Sequence, residues 1–322
     1  MPSSDELRLL ARVARLYYTD GLRQPEIAAR LDLSQARVSR LLKRAEAEGI
    51  VRITVTAPAG VFPEVEEGLQ QAYGLKVAFV VDAPGGADNE ERLLSELGAA
   101  AAYYLEAVLR SGDVMGISSW SSSLLATADA MRPLPKLTGV RVVQILGGVG
   151  NPSARLHANR LTHHFAELVS GEAVTLPSPG IAGSAESAQV LREDSFVAAT
   201  MDLFRDLSIV LVGIGALRPS RLLASSGNVF SREELEELSR QGAVGDICLR
   251  FFDEAGDPVA GRLDERVIGI RLDELKAVGR CIAVAGGARK AAAIRAALRG
   301  GWVNTLITDL ATAEALLRAP GA

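Results

Sequence analysis

QPEIAARLDLSQARVSRLLKR, residues 24–44, reads as two amphipathic repeats broken by a turn, and the rest of the chain is understood outward from it. The spacing predicts a first helix over Gln24–Leu31. Asp32 takes the turn, because Asp tolerates the left-handed backbone that most side chains avoid. Ser34 is placed as N-cap of the second helix, where its hydroxyl accepts a first-turn N–H. Ile27, Leu31, Leu33, Val38, Leu41 and Leu42 form the buried stripe, with Ala28 and Val38 where the two helices cross. The second helix then shows solvent Gln35, Ala36, Arg37, Ser39, Arg40, Lys43 and Arg44. Such a face suits the major groove of duplex DNA, with guanidinium groups on guanine or phosphate and Gln on adenine. Ser34, Gln35, Arg37, Ser39, Arg40, Lys43 and Arg44 are the candidate DNA-contacting residues. The competing reading is a helical pair with an ordinary solvated basic face.

Charge partition favours the first reading. Lys and Arg outnumber Asp and Glu ten to seven over residues 1–56 and are outnumbered twenty-five to thirty-two afterwards, in a chain of net charge −4. Phosphate neutralisation calls for such a local surplus. Asp5–Tyr18 is expected to be a further amphipathic helix, apolar at Leu9, Leu10, Val13, Leu16 and Tyr17. Gly49 ends the second helix in the left-handed position, and IVRITVT (Ile50–Thr56) alternates like a strand, the wing of a winged helix-turn-helix with Arg52 near the duplex backbone. The expected plan is a helix-turn-helix domain over 1–56, a linker over 57–63 (APAGVFP) and a body over 64–322.

At 322 residues, 48% apolar and 5% aromatic, the chain has the composition of an α/β protein. It has no run of eighteen apolar residues and no N-terminal signal pattern, so a cytoplasmic location without membrane contact is expected. Cys248 and Cys281 lie in apolar runs without a CxxC pattern and read as buried free thiols. His157, His163 and His164 lack metal-ligand spacing, and no cofactor is called for.

Within the body, Glu64–Ala72 and Glu90–Arg110 read as helices. Lys76–Val81 reads as a strand, and Val114–Ser118, Val140–Ile145, Ile209–Ile214, Val267–Ile270, Cys281–Ala285 and Thr305–Thr308 read as strands buried on both faces. A Rossmann-like α/β domain with a mostly parallel central sheet follows. Several strands run into small-residue loops, and the carboxyl edges of such strands make the ligand crevice. The candidate binding residues sit there: Ser121, Ser122 and Ser123 in SSWSSS, Gly147 and Gly148, Gly213 and Gly215, and Lys290 after Gly286-Gly287. Hydroxyls, helix N-termini and a cation suit an anion. The absence of Walker and GxGxxG patterns argues against a nucleotide. Asp246 and Arg250, set among apolar residues, need partners. Either they pair with each other, or Asp246 accepts sugar hydroxyls.

Four longer stretches carry a family resemblance. YYTDGLRQPEIAARLDLSQARVSRLLKRAEAEGIVRI, LVGIGALRPSRLLASSG, GAVGDICLRFFDEAGDPV and IAVAGGARKAAAIRAALRGGWVNTLITDLATAEALL resemble, in order, the DNA-binding head and effector domain of the SorC family of bacterial sugar-responsive regulators. The resemblance implies a body related to sugar-phosphate isomerases and glucosamine-phosphate deaminases, a sugar or sugar-phosphate effector, operator DNA as partner, and assembly as a homodimer or homotetramer. It implies that Ser121, Ser122 and Ser123 match a phosphate loop, Lys290 a phosphate-contacting lysine and Asp246 an acidic effector contact. The chain departs from the family pattern at GISSWSSS, where a glycine usually follows the Trp, and at Leu146, where some relatives carry a polar side chain. These changes favour a smaller, less charged or unphosphorylated ligand. The alternative function is a sugar-phosphate isomerase or deaminase with an appended helical domain, but such chemistry needs a general acid and base, and the sequence shows no acidic cluster for it.

Overall fold

The protein is described from a computed structural model, which covers residues 4–52, 58–83, 90–149, 152–227 and 230–318. The chain divides into two compact units, Met1–Pro58 and Ala59–Ala322.

In the first unit α1 (Ser4–Ala14) runs into a π-helical turn (Arg15–Thr19), followed by α2 (Gln24–Leu31) and α3 (Gln35–Ala47). The turn between α2 and α3 is built as its residues dictate. Asp32 is left-handed at φ 53°, ψ 47°, and the Ser34 hydroxyl accepts the Arg37 N–H at 3.3 Å. Glu26 reaches back to the Arg23 N–H at 2.7 Å and caps α2. Val13, Leu16, Ile27, Ala28, Val38 and Leu42 form the small core, with Leu31, Leu33 and Leu41 packed against it.

The expected wing is not seen in its described part. Ile50–Arg52 contain no strand, because the N–H groups of Ile50 and Val51 donate to Ala45 O at 2.9 and 3.1 Å and so close the end of α3. Residues 53–56 of that expected strand lie outside the described residues.

The second unit opens with α4 (Pro63–Tyr73), β1 (Val77–Val81), α5 (Glu90–Val108), β2 (Val114–Ile117), α6 (Ser122–Ala130), β3 (Arg141–Gln144), α7 (Pro152–Leu168) and β4 (Glu172–Val174). It continues through α8 (Ala185–Glu193), α9 (Ser195–Asp202), β5 (Ile209–Val212), β6 (Gly215–Ala216), α10 (Arg221–Ser226), α11 (Arg232–Arg240), β7 (Ala243–Ile247) and β8 (Arg250–Asp253). It ends with α12 (Leu272–Ala277), β9 (Arg280–Val284), α13 (Ala291–Arg299), β10 (Thr305–Asp309) and α14 (Leu310–Leu317).

Seven strands pair in parallel in the order β1-β10-β9-β5-β2-β3-β4, and β6-β7-β8 form a small antiparallel sheet. Alternation along β5 explains why the sheet must be covered twice. Val210 and Val212 enter one core with Phe204, Leu69 and Leu316, while Ile209 and Leu211 enter another with Leu97, Leu105, Leu124 and Phe165. Chain order reverses between β2 and β5, so the loops leaving their carboxyl ends diverge and open a crevice there.

Val267–Ile270, expected as a strand, forms only isolated bridges at Val267 and Gly269. The Arg250 guanidinium is the reason. It donates to the carbonyls of Val267, Gly269 and Ile270 in this segment, and to Asp264 O and Asp264 Oδ1 just before it. Arg250 therefore pairs with Asp264 at 2.9 Å rather than with Asp246.

Candidate functional site

Two arrangements carry chemistry, one in each unit. On α3, Gln35, Arg37, Arg40 and Lys43 are exposed and Ser39 is half-buried, so their polar ends reach solvent from one helix. Arg40 Nε touches Ala36 O at 3.3 Å, and Arg37 has no ion pair among the described residues. Arg44 differs from its neighbours. It pairs with Glu6 of α1 and lies 3.7 Å from Glu48, so it ties α3 to α1. A second tie went unread in the sequence: the Tyr18 hydroxyl donates to Glu46, and that hydrogen bond raises the phenol to about 12.

In the body, the carboxyl ends of β2, β5 and β9 frame a cleft of about 830 Å³, open to solvent. Ser121, Ser122, Ser123, Gly213, Gly215, Asp246 and Lys290 all line it. The serine loop is fixed from below. Ser123 donates to Val284 O at 2.7 Å, Ser119 donates to Leu146 O at 2.6 Å, and Ser121 lies 2.9 Å from Ser123. Ser121 also caps α6 weakly, at 3.4 Å from the Leu124 N–H, while the Ser122 hydroxyl has no hydrogen-bond partner among the described residues. Gly213 is required by this loop, since a Cβ there would lie 2.6 Å from Ser121 Oγ.

Opposite the serines, register places Gly215 on β6 across from Asp246 on β7. A Cβ on Gly215 would lie 2.0 Å from Asp246 Oδ1, so only glycine lets the carboxylate fold against the neighbouring strand. Asp246 Oδ2 accepts the Leu249 N–H at 3.0 Å. Leu249 and Cys248 form the two-residue hairpin turn at φ 62° and 52°, a left-handed pair that such turns usually give to Asn and Gly. Burial pushes the Asp246 carboxyl up to about 6, against the Leu249 hydrogen bond and the nearby Lys290, which both pull it down.

Lys290 ends a short 3₁₀ turn (Ala288–Lys290) and stands at the N-cap position of α13 without a side-chain capping hydrogen bond. Desolvation lowers its pKa, opposed by Asp246. Its ammonium group has neither a hydrogen bond nor an ion pair among the described residues. Asp309, at the end of β10, holds the loop in place by accepting the Gly287 N–H at 2.8 Å and the Thr312 N–H at 3.0 Å. Cleft residues that sequence reading missed include Arg218, Arg289 and Glu90. The last two approach each other at 4.0 Å. Arg289 adjoins Lys290 in sequence and could have been read with it, whereas Glu90 comes from a different helix.

Gly147 and Gly148 are not among the lining residues. A Cβ on Gly147 would sit 2.2 Å from Pro179 O, and one on Gly148 would sit 2.4 Å from Gln144 Nε2. Their small size serves loop packing, and Leu146 reaches the cleft instead. Of the histidines, His163 is exposed, His164 lies 3.8 Å from Asp129, and the side chain of His157 is outside the described residues. Cys248 and Cys281 are both buried and free. Among the described residues no helix is long and apolar enough to cross a membrane, and no group of three His, Cys, Asp or Glu could hold a metal ion.

Comparison with known proteins gives a family match for each unit. Residues 61–318 match the family described as "Putative sugar-binding domain", and residues 6–60 match the MarR family. The chain is 33% identical over 313 residues to the deoxyribonucleoside regulator of Bacillus subtilis (strain 168), covering 97% of this chain and 98% of that one. It is 30% identical to the sorbitol operon regulator of Klebsiella pneumoniae over 99% of this chain and 100% of that one. The crystal structure of the full-length sorbitol operon regulator SorC from Klebsiella pneumoniae superposes with a TM-score of 0.72 at 29% identity, covering 98% of this chain and all of the other. Helix-turn-helix, parallel α/β body and full-length likeness together place this chain in the SorC family of sugar-responsive transcriptional regulators.

Proposed function

We propose that the cleft binds a small carbohydrate, free or phosphorylated, and that its occupancy sets how tightly α3 holds operator DNA. One observation carries this reading. Lys290, half-buried and without a partner, shares a cleft with the buried carboxylate of Asp246 and the serine loop. A cation with hydroxyls receives an anionic or strongly polar end, and a carboxylate accepts sugar hydroxyls at the other. The relatives named for sorbitol and deoxyribonucleosides point to the same ligand class.

In this reading Ser34, Gln35, Arg37, Ser39, Arg40 and Lys43 meet DNA, and Arg44 keeps α3 on α1. The regulator acts as a homodimer or homotetramer, because two recognition helices a helical turn apart read a two-fold operator. It works in the cytoplasm, where such an operator lies. The cleft senses and does not turn over its ligand. Its lining contains no histidine, and Lys290 and Asp246 serve recognition.

A thermal-shift panel of sugars, polyols and sugar phosphates on the full chain tests the cleft, since a ligand bound only by the folded state raises the melting point. At least one member is expected to raise it, and Lys290→Met is expected to abolish that rise. No rise from any carbohydrate, or an equal rise in Lys290→Met, contradicts the assignment. For the head, Arg37→Ala with Arg40→Ala is expected to cost about 1–3 kcal/mol for each base no longer read, on duplex selected by the protein from random sequence. Unchanged affinity and salt slope in an anisotropy titration would exclude α3 as the reading helix.

A further inference from the structure

A narrow recess adjoins the carbohydrate cleft, with room for about one methyl-sized group. Asp246 and Leu249 are among the residues that line both spaces. Leu217 just after β6, Phe230 just before α11, Leu235 within α11 and Phe251 on β8 line the recess alone. On the reading that the cleft holds a carbohydrate, we propose that this recess takes a deoxygenated carbon. The effector is then a carbohydrate with a methyl or methylene group beside the hydroxyl that hydrogen-bonds Asp246.

The walls decide what can enter. Asp246 supplies the only polar side chain among the described residues that line the recess. Its Oδ2 already accepts the Leu249 N–H, and Oδ1 has no hydrogen-bond partner among the described residues. One ligand hydroxyl can therefore be satisfied where the two spaces meet. A second hydroxyl, on the carbon that enters the recess, would leave water and meet only hydrocarbon. It would face leucine side chains and the Phe230 and Phe251 rings, whose centroids lie 5.8 Å apart. A buried hydroxyl without a partner is disfavoured, whereas a methyl or methylene group gains from leaving water.

Leu249 keeps this wall apolar against the preference of its own backbone. Its φ of 62° lies in the left-handed region, where a hairpin turn accepts Asn or Gly more easily. Either residue would remove hydrocarbon from the wall that cleft and recess share, and leucine is buried there. The serine loop and Lys290 line the cleft but not the recess. The cleft thus meets hydroxyls or an anion, and the recess meets carbon.

The test is a calorimetric titration of the full chain with matched sugars that differ by one oxygen. Glucose is set against its 2-, 3- and 6-deoxy derivatives and ribose against 2-deoxyribose, each free and, where a terminal hydroxyl remains, as the terminal phosphate. At least one deoxy sugar is expected to bind about fivefold or more tightly than its hydroxylated parent. Leu217→Gln, which sets an amide in the recess at a half-buried position, is expected to bring that preference below about twofold. Leu249→Asn suits the left-handed turn and makes the same change if Leu217→Gln does not fold. Parents bound as tightly as every deoxy derivative overturn the recess and leave the carbohydrate cleft standing. A preference that the folded variant keeps in full also overturns it. Absence of binding by every sugar and phosphate removes the cleft reading and the recess together.

Discussion

Asp246 and Lys290 each carry a charge that their surroundings disfavour, and both line the cleft. Residues kept at a cost to folding are expected where a ligand needs them. The sign for Asp246 follows from its raised folded value of about 6 against an ordinary 3.8. The folded state holds the proton more tightly, so this group's contribution is fully present below about pH 4 and is lost as pH rises through 6. Asp246→Asn is therefore expected to be more stable than the parent at pH 7.5, by up to about 3 kcal/mol, with the gap closing by pH 4. Urea melts at the two pH values measure it, and a constant gap would show that burial does not tune this carboxyl. Gly215→Ala makes the complementary prediction. Its Cβ displaces Asp246 Oδ1, so carbohydrate binding should be lost while the circular dichroism spectrum is kept. Arg250→Lys cannot replace five donors held by one planar group. Leaving those buried carbonyls unpaired is expected to cost about 3 kcal/mol or more in a denaturant melt.

At the scale of elements, the α2–α3 turn shows how local chemistry specifies backbone. Removing the Ser34 hydroxyl with Ser34→Ala is expected to cost about 1 kcal/mol in head stability, seen as a lower melting temperature. This turn was legible because Asp32 and Ser34 act on their own neighbours in sequence. The parallel strands β2, β3, β5, β9 and β10 were legible for a related reason, since burial on both faces leaves a continuous apolar run. Reading failed where a distant residue decides the outcome. Val267–Ile270 has the composition of a strand, but Arg250 takes its carbonyls. The β7–β8 hairpin has no Asn-Gly signal, because Cys248 and Leu249 occupy left-handed positions and Asp246 holds Leu249 N–H. Gly147 and Gly148 looked like ligand-approach glycines, yet contacts with Pro179 and Gln144 explain them. Seven of nine expected cleft residues converge because strand ends at a switch point meet by topology.

At the scale of the molecule, one chain joins a basic head to a larger body whose central crevice carries a carboxylate, an ammonium group and a hydroxyl loop. Regulation requires only that the ligand bind one DNA-competent state better than another, and a coupling of about 1–3 kcal/mol already changes operator affinity about 5–150-fold. The most direct measurement is an anisotropy titration of operator duplex with the full chain and with Lys290→Met, each with and without a saturating carbohydrate found by thermal shift. Operator affinity of the parent is expected to change at least fivefold with ligand, while Lys290→Met keeps the ligand-free affinity and no longer responds. An operator affinity that ligand leaves unmoved in the parent, or moves equally in Lys290→Met, contradicts control through this cleft.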